Sequence, residues 1–312
     1  VELWKRQIDT IADDAAFAVT VDADDNIWLA GSVNGRLAAG ATAGGGADAY
    51  VAKLDGASGS LAGVTQFGGA GSETAKAIAM ASDGNLLVAS EEDGRAILRK
   101  LDRDDPSNVL WSMDLGELGA GAITGIAVEG GNVYLAGYSD NAAFGQGVRN
   151  AHSGAQDGFV LRVDDLGSSA DAIWTSFIGG ESGDFIQDIT ASGGAVYVAG
   201  RTSGSLGDQE RLGITEGFAA KIDGADGSQD WIRQFAAAGH NGATGIAFTS
   251  NGQSVLTRLG LGPGTIHVNE PRDVISQTTA RAGDHFYISI NGRTKQKITI
   301  EEGDTFEKIA AR

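Results

Sequence analysis

Short runs in which apolar and polar residues alternate recur along the whole chain, each bounded by Gly, Asn, Asp or Ser. A period of two sends successive side chains to opposite faces of a strand, and the bounding residues supply tight turns. The pattern therefore predicts antiparallel β-structure throughout. One run is written five times: DDNIWLAG from Asp24, DGNLLVAS from Asp83, GGNVYLAG from Gly130, GGAVYVAG from Gly193 and the faded NGQSVLTR from Asn251. Copies that begin roughly 47 to 63 residues apart suit the blades of a propeller better than the rungs of a solenoid.

The unit that keeps the grammar best places a first strand at Ile186 to Thr190 and a second at Ala195 to Ala199. A polar loop, Arg201 to Glu216, leads to a third strand at Gly217 to Asp223, and a fourth starts at Trp231. Third strands return at Ala49, Ala96, Gly158, Gly217 and His285. The expected fold is all-β: a five-bladed β-propeller of four-stranded antiparallel blades over residues 1–292, with a short C-terminal β-hairpin-helix extension over 287–312.

Trp4, Trp111, Trp174 and Trp231 open the fourth-strand position, with Gly63 taking that place once; indoles at equivalent sites are expected to pack between sheets. Trp4 to Ile8, a fourth strand without its own preceding three, could close the ring on the last third strand. Lys297 to Ile300 competes for that slot. Asp55, Asp102, Asp164, Asp223 and Asn291 end the third strands, where each is expected to accept the backbone N–H two residues on. A calcium reading of these acids lacks the D-x-D-x-D-G loop.

Composition narrows the function. A net charge of −18 repels phosphate backbones and anionic lipid, so neither nucleic acid nor membrane insertion is expected. No apolar run is long enough to span a bilayer, and the absence of cysteine excludes disulfides and thiolate metal sites. With 48 glycines and three prolines the chain has many tight turns. It begins without Met, inside a repeat strand, so a piece of something longer is expected, with any targeting signal elsewhere.

Chemistry is sparse. His152, His240, His267 and His285 fall in separate units without metal-pair spacing, and neither H-E-x-x-H, G-x-S-x-G nor a P-loop occurs. GAGAITG from Gly119 reads as a turn. Asp13-Asp14, Glu91-Glu92-Asp93 and Asp104-Asp105 read as solvated turns. The turns LDGASGSL and IDGADGSQDW resemble the turn-Trp element of pyrroloquinoline propellers, but the cofactor residues are not found. No catalytic residue and no cofactor is nominated, and metal binding is left open.

The phrases GNVYLAGYSD, GRTSGSLGDQ and DGFVLRVDD, each in register with a following Trp, resemble the bacterial SBBP beta-propeller repeats over about residues 4–292. That resemblance implies a large exported or surface-associated bacterial protein with adhesive or scaffolding roles and no catalytic residues. From Tyr287, YISINGRTKQKITIEEGDTFEKIAAR is similar to the flagellin hook IN motif: a hairpin around Asn291-Gly292, then a helix capped by Asp304 and Glu307 with Phe306, Ile309 and Ala310 on one face. It implies a propeller inserted into, or preceding, a flagellum-related module.

The expectation is thus a non-enzymatic binding or scaffolding module, extracellular or at the cell surface, on the bacterial flagellum. Its partner would be a protein such as flagellin or another flagellar component, or a surface glycan. The long loops Ser32 to Asp48, Ser139 to Asp157 and Arg201 to Glu216 would project and make the contact, and Gly260 to Asp284 would be a partner-binding insertion or an ordinary loop. The alternatives are an enzyme with a site in the central channel and an inert spacer.

Overall fold

The computed structural model describes residues 3–8, 10–37, 44–209, 211–235, 239–247, 283, 285–288 and 296–301. The chain divides into two compact units, Val1–Ala247 and Phe248–Arg312. In the first unit the repeats fold into four antiparallel sheets, each a meander of four strands. Sheet 1 holds β1 (Asp14–Val21), β2 (Ile27–Val33), β3 (Asp48–Leu54) and β4 (Leu61–Phe67). Sheet 2 holds β5 (Glu73–Met80), β6 (Leu86–Glu92), β7 (Arg95–Leu101) and β8 (Val109–Glu117). Sheet 3 comprises β9 (Ala122–Glu129), β10 (Asn132–Ser139), β11 (Asp157–Asp165) and β12 (Ala170–Ile178). Sheet 4 comprises β13 (Asp184–Ser192), β14 (Ala195–Thr202), β15 (Glu216–Asp223) and β16 (Gln229–Phe235).

The repeated phrase is the second strand of every sheet, and its last residue explains why the phrase is kept. Gly31, Gly137 and Gly200 pair with Tyr50, Phe159 and Phe218 on the third strand. Opposite, the first strand bulges: the register slips between Ala16 and Ala18, between Ile186 and Asp188 and, in sheet 3, between Ile123 and Gly125, leaving Phe17, Gln187 and Thr124 as the extra residues. The bulge drives a first-strand carbonyl against the glycine, so that a Cβ there would overlap the oxygen of Ala15, Ala122 or Phe185 and touch the aromatic ring as well. Sheet 2 has Ser90 here, and its third-strand partner is Ile97 in place of the ring.

Successive sheets pack face to face. Trp28, Val51, Ile78, Val88 and Leu101 fill the seam between sheets 1 and 2. Leu98, Trp111, Leu135, Phe159 and Phe177 fill the next, and Tyr134, Trp174, Val196, Phe218 and Ile222 the third. Each such side chain contributes about 1.5–3 kcal/mol by leaving water. The first strands β1, β5, β9 and β13 touch in succession. Sheets 2 and 3 are therefore covered on both faces, which is how propeller blades stack. Ile78 and Ile189, on β5 and β13, are 6% exposed, whereas Val19 at the matching place on β1 is 61% exposed because no sheet precedes sheet 1 among the described residues.

Residues 3–8 form no strand, so the expected fourth strand at Trp4 to Ile8 is corrected: Trp4 donates its indole N–H to the Gly56 carbonyl (2.9 Å) in the β3–β4 turn. In the second unit β17 (His285–Ile288) pairs antiparallel with β18 (Gln296–Thr299), the hairpin expected there. The turn at Asn291-Gly292, the helix expected around Asp304 to Ala310, the fifth phrase and, apart from Gly283, the Gly260 to Asp284 loop lie outside the described residues.

Replacing Gly137 by Ala is expected to cost about 3 kcal/mol by forced overpacking. Urea unfolding measures it. Gly131→Ala, whose Cβ would meet only the Asp165 carbonyl at an ordinary 3.4 Å, should stay within about 1 kcal/mol of the parent.

Candidate functional site

In a propeller the innermost strands border the axis, so β1, β5, β9 and β13 are where ionisable groups from separate blades would have to meet. They carry six such groups, and the structure gives each a local task. Asp14 accepts the backbone N–H and the hydroxyl of Thr10. Glu73 accepts the Gly69 N–H (3.0 Å) and Lys76 pairs with Glu91 (3.4 Å). Glu129 accepts the N–H groups of Gly193 (2.6 Å) and Gly194 (2.9 Å) in the next sheet, and Asp188 accepts that of Ile246 (2.8 Å). Asp184 accepts the Gly180 N–H (2.8 Å).

A motif the sequence reading missed accounts for half of these. Asp14, Glu73 and Asp184 start first strands, and Asp48, Asp157 and Glu216 start third strands. Each accepts the N–H four residues back: from Thr10, Gly69, Gly180, Gly44, Ser153 and Leu212 respectively. A carboxylate so placed straps the incoming loop to its strand, with the strength of a charge-assisted hydrogen bond. Aligning the repeats on the acid at strand starts, instead of strand ends, exposes the signal.

The acids at strand ends mostly behave as expected. Asp102 accepts the N–H of Asp104 and Asp223 that of Ala225, while Asp55 reaches one residue further, to Ser58. Asp164 is a correction: it pairs with Arg162 (2.8 Å), and Asp165 takes the turn N–H, of Gly167. Asn291 lies outside the described residues.

Trp111 and Trp174 join successive sheets, as expected, whereas Trp231 lies beside Tyr197 of its own sheet. Trp174 at the end of sheet 3 lies on Gly227 in the β15–β16 turn of sheet 4, where a Cβ would come within 2.7 Å of the indole. Trp4 sits in the same way on Gly59 of the β3–β4 turn. Both turns read Asp-Gly-Ala-x-Gly-Ser, and both glycines need the left-handed backbone, φ +67° at Gly59 and +78° at Gly227. The indole at each of these turns therefore comes from before the turn, not from the strand after it.

Cations reinforce the same seams. Arg162 donates to the Gly224 carbonyl (2.9 Å), and the Tyr134 hydroxyl donates to the same oxygen (3.3 Å). One seam earlier Lys100, its side chain 1% exposed, bridges Asp83 (2.7 Å) and Asp165 (2.6 Å), and Trp111 donates to Asp165 (3.1 Å). Burial pushes the Lys100 ammonium down, but the two carboxylates outweigh it and hold the group above its usual range. At the first seam, where Gly63 stands in place of Trp, Arg103 pairs with Asp24 of sheet 1 (3.1 Å).

Of the histidines, His152 contacts the Ser139 carbonyl (3.1 Å) and the edge of Phe177, and His240 contacts the Thr215 hydroxyl (3.3 Å). His285 starts β17, and His267 lies outside the described residues. Among the described residues no three His, Asp or Glu side chains are grouped to hold a metal. The acidic clusters are engaged too: Glu92 pairs with Arg99, Glu91 accepts the Ile123 N–H (2.8 Å) and Asp105 accepts the Ser107 hydroxyl (2.5 Å). Gly119 turns with φ +62°, as read from GAGAITG.

Two of the three long loops do not project as expected; the tip of the third, residues 38–43, lies outside the described residues. Residues 140–156 fold back along the outer edge of β12, where Arg149 N–H donates to Thr175 and Phe177 N–H to Asn150 (2.8 and 3.1 Å). In sheet 4 Gln209 donates to Ile232 (3.2 Å) and accepts from Gln234 (2.8 Å), fastening that loop to β16. A bare edge strand templates aggregation, and these loops cover it. Their exposed apolar residues are Val148, Leu212 and Ile214.

No family model matches the chain. The chain is 28% identical over 349 residues to "Regulatory protein FlaEY" of Caulobacter vibrioides; the match covers 99% of this chain and 36% of that protein, so the chain spans about a third of its relative's length. Among solved structures, the "Dos1 propeller" overlaps 73% of this chain and 50% of that one with a TM-score of 0.39 at 12% identity. The Bacteroides eggerthii bifunctional GH43-CE protein overlaps 73% of this chain and 26% of that one (TM-score 0.38, 13% identity).

Lys100→Met strands the buried Asp165 carboxylate without its cation and is expected to destabilise by about 3–5 kcal/mol. Adding Asp165→Asn should recover part of that loss. Urea unfolding of both variants checks the coupling.

Proposed function

We propose that the chain is a non-enzymatic binding or scaffolding module of a bacterial flagellum-associated surface protein, built on a five-bladed propeller whose fifth blade is carried by the repeat period. The observation behind this reading is the engagement of ionisable groups: every one on the four innermost strands is tied to a neighbouring backbone or side chain. The flagellar setting draws on the relative designated FlaEY, a regulatory protein, and on the hook-IN-like hairpin. Contact runs through the outer rim, where Val148, Leu212 and Ile214 lie exposed on loops that the fourth strands hold in place. A chain of net charge −18 suits a basic partner surface.

The test is binding of the purified chain to flagellar filaments and hooks of its source, beside a Val148→Ser, Leu212→Ser, Ile214→Ser variant. Affinity is expected to fall at least about tenfold in the variant, and in the parent to weaken with salt. No binding by the parent would sink the flagellar reading in favour of a spacer role.

A further inference from the structure

The strap acids of the third strands meet three different surroundings. Asp48, Asp157 and Glu216 occupy the same register, two residues before Tyr50, Phe159 and Phe218. Across from those rings the fourth strand presents Gln66, Phe177 and Gln234. Gln66 donates its side-chain amide to Asp48 (2.7 Å), and Gln234 donates its own to Glu216. Phe177 has nothing to donate. Asp157 is fully buried, and its Oδ1 has no hydrogen-bond partner.

A second orphan lies beside it. Asp184, which opens sheet 4, is also fully buried, and its Oδ1 too is unpartnered. The two carboxylates flank Gly179: a Cβ on that glycine would overlap Asp157 Oδ1 and come within 2.9 Å of Asp184 Oδ2. Each acid is fixed by its other oxygen, Asp157 by Ser153 and Asp184 by Gly180. Two neighbouring buried carboxylates, each with an oxygen that accepts no protein hydrogen bond, cannot both stay ionised without a large cost in solvation and repulsion.

We propose that Asp157 and Asp184 share one proton, held as a neutral Asp184 carboxyl donating to Asp157, and that this proton makes the seam between sheets 3 and 4 tighten in acid. One shared proton removes one of two neighbouring buried charges without an added ion. A divalent cation would need six or more oxygen ligands, whereas beside the two carboxylates stand the Phe177 ring, donor N–H groups and the Ser153 hydroxyl, which donates to Asp157 (3.3 Å).

The charged and titratable groups facing the pair are few. His152 approaches Asp157 from the 140–156 loop, and Thr202 faces Asp184 from β14. Arg201, next on β14, lies instead over the Phe185 ring at 4.0 Å. Burial pushes Asp184 up to about 6, against the nearby Thr202 hydroxyl and the Gly180 N–H, and the charge of Asp157 adds to the rise. Burial also raises Asp157, against Ser153 and the charge of His152. A folded value above the unfolded 3.8 means that the native seam keeps a proton the unfolded chain has lost. Its contribution is complete below 3.8 and disappears as pH rises through about 6.

Thermal unfolding of the parent and Asp184→Asn from about pH 5 to about pH 8, at fixed ionic strength, tests this. The Asn amide can donate to Asp157 at every pH, so the parent Tm should fall by about 5 °C more than that of the variant across the range. Infrared spectra of the parent near the acid end should show a neutral carboxyl C=O band that Asp184→Asn removes; this reading stands even if a variant folds poorly. Parallel Tm profiles, or no such band, would overturn the proposal. So would calcium chloride raising the parent Tm near pH 8 while leaving Asp184→Asn unmoved, since a cation would then hold the pair.

Discussion

A four-stranded sheet with two apolar faces is stable only if each face finds another sheet, and in this chain everything else follows from how one sheet grips the next. The grip is the turn between the third and fourth strands. Trp174, Tyr134 and Arg162 of sheet 3 all converge on residues 224–227 of sheet 4, and Trp111 and Lys100 of sheet 2 converge on Asp165 of sheet 3. The two ends are matched to each other. Where Gly63 replaces the indole, the following turn, residues 102–108, has no glycine to receive one, and Arg103 reaches back to Asp24 instead.

Such matched pairs show why the architecture was legible and the site was not. Alternation and turn residues placed the second, third and fourth strands of every described sheet, because register in a half-buried strand is dictated by which side chains avoid water. The glycine that ends the phrase was visible as a repeat, but its reason, a carbonyl thrust forward by a bulge on the neighbouring strand, exists only once strands are paired. Asp164 and Asp165 make the same point at smaller scale. The turn shifts by one residue in sheet 3, so the acid that ends the motif pairs with Arg162 and its neighbour serves the turn.

The loops were misread for a related reason. Length and polarity suggested projection into solvent, yet a fourth strand has an unpaired edge of N–H and C=O groups that a long loop can satisfy. Sheet 2 supports that explanation by its exception. Its second and third strands are joined by a two-residue turn at Asp93-Gly94, leaving no loop to lie on β8. That sheet carries instead two register breaks along β7–β8 and the Arg95 contacts to Asp114 and Glu117, features that make an edge a poor template.

Covering the edge also changes what the loops can do. A free loop would lose conformational entropy on meeting a partner, whereas residues 140–156 and 203–209 have already been ordered by their contacts with β12 and β16. The apolar side chains held there, Val148 in particular, are presented at little further entropic cost, which favours contact through a rim of fixed shape over adaptable fingers. The covered edge is also less open to an added strand, since the outer backbone groups of Thr175 and Phe177 on β12 are already paired with the loop.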